Sequence, residues 1–243
     1  MTFFFKSYLS SVDTYIYRMV ESQEKVATMQ LVDTLDEQSL LEDLIESTKP
    51  SLISGQRHYL IETPFRYPPL EYGSRFGSKF ERSIFYGSHT VNAMLYESAY
   101  YAFHFWNALD IPFENPIISH KTSFEVKVKS PSYIDLCLIQ DADMQMKLRS
   151  KTDYGFTQAV GAELRVLQVD AFSYFSARSP NEDKNMGVFN IDSMVSHPLR
   201  QCGWEVKQTG ESILFYCRDN TALNKQFQKT AFLVNQKFPE PSS

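Results

Sequence analysis

The sequence predicts an α+β fold, and three observations carry that expectation. A capped amphipathic helix comes early, the strands and helices after it follow no regular βαβ alternation, and the chain is long and apolar enough for one sizeable core. With 243 residues, 43% of them hydrophobic, a single domain with an N-terminal extension accounts for the length. The expected organisation is a helical extension over residues 1–50 packed on the core, and a main domain with a mixed sheet over residues 51–243.

In "TLDEQSLLEDLIESTKP", Thr34 and Glu37 have capping-box spacing. Leu40, Leu41, Leu44 and Ile45 share one helical face, and Lys49-Pro50 end the pattern. The prolines at 64, 68 and 69 and the glycines at 55 and 73 then disallow a long helix or a central strand, so residues 51–74 are expected as a shaped loop. A short strand follows near "RSIFYG". "TVNAMLYESAYYAFHFW" has neither Gly nor Pro and predicts a largely buried helix. Alternation in "SFEVKVKS" and the apolar run "YIDLCLI" predict two strands; "YGFTQAVGAELRVL" suits a helix. "VDAFSYFSAR" suits a strand opening into a loop, and "NMGVFNI", "GWEVKQ" and "SILFYCR" suit further strands.

The formal net charge of -5 argues against direct binding to nucleic acid or a membrane surface, because both are anionic. Cys137, Cys202 and Cys217 are widely spaced and odd in number, which fits neither a disulfide framework nor a zinc site and suggests a reducing cytoplasm. The start lacks the basic and long apolar regions of a signal peptide, and no stretch reaches membrane-spanning length. The five histidines show no ligand spacing, so no metal is expected.

The segment "YGSRFGSKFERSIFYGS" concentrates glycines, cations and aromatic rings. Within it Arg75 stands in "GSRFG", two residues from a glycine on either side; it is either a surface arginine or a guanidinium poised for a phosphate or carboxylate. Tyr86 closes a strand, where its ring could stack on a heterocycle or fill the core. Glu97 stands mid-helix among Leu95, Tyr96, Ala99, Tyr100 and Phe103. An ionised carboxylate there is costly unless it is ion-paired, solvated or faces a cleft in which it stabilises a developing cation. Ser176 and Arg178 follow a strand, the usual place both for turn serines and for site residues.

Together, "TPFRYPPLEYGSRFG", "SIFYGSHTVNAMLYESAYY" and "YFSARSPNEDKNMGVF" resemble, in order, the three signature blocks of the RES-domain family, named for its Arg, Glu and Ser. "YRMVESQEKVATMQLVDTLDEQSLLEDLIE" is similar to the N-terminal extension of longer members, with Glu24 where a histidine is expected. The resemblance spans most of the chain as far as Phe189. It implies a core like that of ADP-ribosyltransferase toxins and an enzyme that splits the nicotinamide–ribose bond of NAD⁺, with NAD⁺ as substrate and no cofactor. It further implies a toxin of a bacterial toxin–antitoxin pair, neutralised by an Xre-like helix-turn-helix partner. By position, Arg75, Glu97 and Ser176 match the catalytic signature and Tyr86 the signature aromatic, while Arg66, Tyr67 and Arg178 fall where substrate-binding residues are expected. ADP-ribosyl transfer, phosphorolysis by the same pocket, or a catalytically silent binding module are the alternatives.

Overall fold

The computed structural model describes residues 2–22, 32–48, 57–67, 69, 71, 73–111 and 113–240. In chain order these form α1 (Thr2–Lys6), β1 (Leu9–Glu21), α2 (Leu35–Thr48), α3 (Tyr59–Arg66), β2 (Phe85–Ser88), α4 (Val91–Asn107) and β3 (Ile117–Asp135). Then come α5 (Ala142–Leu148), α6 (Gly155–Val166), β4 (Ala171–Phe175), β5 (Lys184–Val188), β6 (Arg200–Gln208), β7 (Ser212–Cys217) and β8 (Lys225–Gln228). The mixture of one large sheet with helices is the α+β architecture expected.

All eight strands belong to one sheet, β1-β2-β5-β4-β3-β6-β7-β8, with a further pairing of β1 to β3. That extra pairing closes five strands, β1-β2-β5-β4-β3, into a ring, while β6, β7 and β8 extend from β3 as an arm. Only β3 and β4 run parallel. The ring lets its inner face bury without a covering layer. Ile16, Phe85, Phe124, Val126, Val128 and Val188 form that core, closed at one end by Leu60, Ile61 and Phe65 of α3. On the outside, α1, α5 and α6 pack over Phe172 and Ile134, whereas Met94, Leu95, Tyr100 and Phe103 of α4 pack on Trp204, Val206, Ile213 and Phe215 of the arm.

Three segments differ from the sequence expectation. The first fifty residues are not purely helical: β1 runs beside β3 from Leu9↔Ile134 to Glu21↔Lys121 and is integral to the ring. Its residues "VDTYIYRMV" are β-branched and aromatic at alternate positions, and pairing of β1 along β3 satisfies its backbone. The expected boundary at residue 50 lies outside the described residues, as does Glu24. Second, the expected loop contains α3, which His58 caps by accepting from Leu60 N at 3.3 Å and which anchors itself through Leu60, Ile61 and Phe65. Third, the two strands expected around Ser130-Pro131 are one continuous strand, β3. The expected helix α2 is present, with Thr34 Oγ1 accepting from Glu37 N at 3.2 Å and Glu37 Oε2 accepting from Asp33 N at 3.0 Å. Its apolar face is not buried, since Leu40 is 60% exposed and Leu44 55%.

Candidate active site

A tight turn, the end of β4 and the middle of α4 converge on one site. In the turn, Ser74 N donates to Gly77 O at 2.7 Å, and Gly73 adopts φ +74°, where a Cβ would stand 2.4 Å from Gly77 O. Glycine at 73 therefore serves the turn itself. Tyr86 of β2 fastens it: its hydroxyl accepts from Phe76 N at 3.0 Å and bonds Ser74 Oγ at 2.9 Å. Burial pushes that phenol up to about 12, so it stays protonated. On the other side Thr157 Oγ1 donates to Arg75 O, and α6 presses its Gly161 against Phe76 O.

The turn buries Arg75, which is 8% exposed. Its guanidinium donates to Leu148 O at 2.6 Å and lies 5.4 Å from the Tyr154 ring and 5.9 Å from the Tyr174 ring, while its Nε has no partner. Arg178 stands on the far side of Tyr154, donating to the Tyr154 hydroxyl at 2.9 Å and to Lys151 O at 3.0 Å, with its guanidinium 3.5 Å over the Tyr100 ring. Burial opposes the Arg178 charge, but Tyr154, Tyr100 and Glu97 outweigh it and hold its pKa above the ordinary value. Among the described residues neither arginine is ion-paired with a carboxylate.

Thr90 Oγ1 caps α4 by accepting from Ala93 N at 3.1 Å, and the helix carries Glu97 half-buried in its second turn. Glu97 Oε1 accepts from Ser176 Oγ at 2.7 Å and from Asn185 Nδ2 at 2.6 Å. Both partners are neutral, so the salt-bridge reading of Glu97 falls away. Ser176 is 4% exposed, and its oxygen in turn accepts from Arg178 N at 3.1 Å and Ser179 N at 3.2 Å. Its hydrogen-bonding capacity is thereby filled. Ser176 orients the carboxylate and the loop that carries Arg178.

Arg75, Tyr86, Glu97, Ser176 and Arg178 thus gather in one place, linked through Tyr154, Tyr174 and the turn. Arg66 is half-buried in the last turn of α3; Tyr67 is 40% exposed, with its carbonyl accepting from Ser83 Oγ at 2.9 Å. Neither is a hydrogen-bond partner of Glu97.

The sequence reading missed several residues at this site. Arg18 of β1 donates to Tyr86 O at 2.6 Å, its guanidinium lies 4.9 Å from the Phe85 ring, and its Nε has no partner. Burial lowers its pKa to about 10, partly offset by Tyr101. Tyr101, though 44% exposed, has its hydroxyl among Tyr154, Glu97, Arg178 and Tyr86, and burial there raises its pKa well above the ordinary value. Arg18 was findable, because a strand reading of "YIYRMV" places a cation on the same side as Ile16 and Val20. Asn185 and Tyr154 carried no local signal. No cluster of three or more metal-ligating side chains occurs among the described residues, and no described helix is long and apolar enough to cross a membrane.

No curated protein matches the chain. Among solved structures, the fold is similar to a chain in a crystal structure of the M. tuberculosis MbcT–MbcA toxin–antitoxin complex, at 11% identity and a TM-score of 0.49, covering 86% of this chain and 92% of that one. The RES domain family model matches residues 50–207, well over half of the sequence and all three signature blocks, and the chain belongs to the RES-domain family.

Proposed function

We propose that this protein is an NAD⁺ glycohydrolase that cleaves the nicotinamide–ribose bond and acts as the toxin of a toxin–antitoxin pair. The observation that carries the reading is Glu97: a carboxylate with no cation bonded to it, whose Oε1 takes both of its hydrogen bonds while Oε2 takes none among the described residues. Oε2 is the oxygen left for a ligand. Breaking a glycosidic bond leaves positive charge on the ribose, and a carboxylate held in place beside it stabilises that charge without having to reorganise.

The surroundings suit the rest of a dinucleotide. Arg18, Arg75 and Arg178 offer to its pyrophosphate guanidinium groups that have no carboxylate partner among the described residues, where the buried Nε of Arg18 and of Arg75 is also unsatisfied. Tyr101, 44% exposed, and the half-buried Tyr86 would offer ring surface to its bases, while Tyr154 and Tyr174, buried beside Arg75, back the turn. Tyr86 also holds the Arg75 turn, and Arg66 and Tyr67 are proposed to extend the substrate surface from the end of α3. The attacking group is water; no metal or further cofactor enters the proposal. Neutralisation would come from an Xre-like helix-turn-helix antitoxin, as the family resemblance implies, with DNA contacts made by that partner and not by this acidic chain. The setting proposed is the cytoplasm of a bacterium.

Incubation of purified protein with NAD⁺ and identification of the products tests this directly. Free nicotinamide and ADP-ribose are expected. Phosphorylated ADP-ribose or a modified macromolecule would replace water by another acceptor, and unchanged NAD⁺ would refute the enzyme reading.

A further inference from the structure

We infer that Asn185 is a positioning residue for Glu97, and that Ser88 secures the Asn185 amide from the strand behind it; the inference rests on the NAD⁺ cleavage proposed above. Asn185 lies in β5 and is 2% exposed. It faces Ser88 directly across the β2–β5 pair and Tyr174 across the β4–β5 pair, so the three side chains line one face of the sheet beneath α4. From β2, Ser88 Oγ, itself 4% exposed, donates to Asn185 Oδ1 at 2.8 Å, and from the same amide Nδ2 donates to Glu97 Oε1 at 2.6 Å.

This chain of bonds has one direction. Glu97 as a carboxylate can only accept, so the amide must present its N–H₂ towards α4 and its oxygen towards β2, where the Ser88 hydroxyl meets it. The Ser88 hydroxyl, which can donate or accept, takes the donor role that this orientation leaves to it and holds the amide from the rigid strand. Asn185 and Ser176 then converge on the same carboxylate oxygen from neighbouring elements, β5 and the loop after β4. With Oε1 held at two points, rotation about the carboxylate bond is arrested and Oε2 is directed to the ligand. Charge-assisted hydrogen bonds of this kind are shorter and stronger than neutral ones. A carboxylate that forms no ion pair among the described residues needs such donors to keep one orientation, and here they are neutral, so they orient the charge without cancelling it. Asn185 does not itself touch substrate; it acts through Glu97.

The test uses the full chain and compares wild type with Asn185→Ala, Asn185→Asp and Ser88→Ala, recording melting temperature, kcat and KM for NAD⁺ and the pH dependence of turnover. For Asn185→Ala, kcat should fall by roughly tenfold to a hundredfold, the range for loss of a hydrogen bond to a charged group, while KM changes by less than about threefold. Ser88→Ala should lose less, because the amide can still point the right way part of the time. In Asn185→Asp, two carboxyl groups meet at one site, so turnover should be poor near about pH 7.5 and recover towards about pH 5, where a shared proton restores a donor. A purely structural role moves melting temperature without producing that acid-side recovery. The proposal is overturned if Asn185→Ala keeps kcat within about twofold of wild type. Should that variant fail to fold, an Asn185→Asp pH profile superimposable on wild type overturns it instead. Wild-type protein inert towards NAD⁺ would sink the enzyme reading alone. The positioning claim would then be decided by the side-chain amide signal of Asn185 in nuclear magnetic resonance, which must shift on Glu97→Gln; an unmoved signal overturns it.

Discussion

Glu97 is costly in the middle of an apolar helix, and the structure shows what it receives in return: two neutral donors on one oxygen, with none on the second among the described residues. Replacing it by Gln keeps shape and hydrogen-bonding capacity but removes the charge. Turnover should drop by on the order of a hundredfold or more, corresponding to about 2–4 kcal/mol of transition-state stabilisation, with melting temperature near wild type. NAD⁺ turnover and thermal unfolding on the same preparation check it; a destabilised but fully active variant would contradict the assignment. His89 supports a prediction about pH. Its Nε2 lies 2.7 Å from Ser173 Oγ, and burial, helped by Lys184 and opposed by Asp135, holds its pKa below the ordinary value. Below about pH 6.5 the unfolded chain therefore takes up a proton at this ring before the folded one does, so stability falls as pH drops through that window. His58 is depressed in the same direction, by burial and by His197. His89→Gln, which retains a donor for Ser173, should flatten the decline in melting temperature between about pH 7 and pH 5.5 without abolishing it.

At the scale of elements, the segment rich in glycine, cations and rings is a clamp assembled from its neighbours. Tyr86 reaches it from β2, Thr157 from α6, and Gly161 of α6 lets the helix approach so closely that an added Cβ would stand 1.8 Å from Phe76 O and 2.8 Å from Phe76 C. Backbone cannot yield as a flexible side-chain tip can. Gly161→Ala should thus destabilise by about 1–3 kcal/mol despite alanine's better helix propensity, because overpacking outweighs propensity. It should also reduce NAD⁺ turnover by displacing the turn that carries Arg75. Thermal melts and kinetics on the same variant read both effects. A variant more stable than wild type would show that α6 and the turn can part without strain.

For the molecule as a whole, the closing of β1 against both β2 and β3 makes the N-terminal region part of the core, although the family match begins only at residue 50. Removal of residues 1–21 would expose the edge of β3 from Lys121 to Ile134, leave one side of the Ile16 core uncovered and take Arg18 from the site. Such a truncation should aggregate or lose its cooperative melt, because a long unpaired edge over an opened core is an association surface. A shortened protein that is monomeric, melts cooperatively and turns over NAD⁺ would contradict the structural role of β1.

The sequence by itself determined the α+β class, the helix carrying Glu97 and the capped helix over residues 35–48, and its three ordered blocks carried the family resemblance that singled out Arg75, Tyr86, Glu97, Ser176 and Arg178. These rest on short-range signals: capping spacing, periodicity and three ordered blocks, each legible within its own segment. Only the tertiary structure decided the rest. The glycine at 73 serves the geometry of the turn and Gly161 the approach of α6, and Ser176 spends its hydrogen bonds on Glu97 and the following loop. Arg18, Tyr154 and Asn185 join the site from segments 57 to 110 residues distant from Arg75 or separated from Glu97 by 88 residues, as the β5-to-α4 bond shows. No local pattern encodes such meetings, because strand order and ring closure are set by which apolar faces can be buried together across the whole chain.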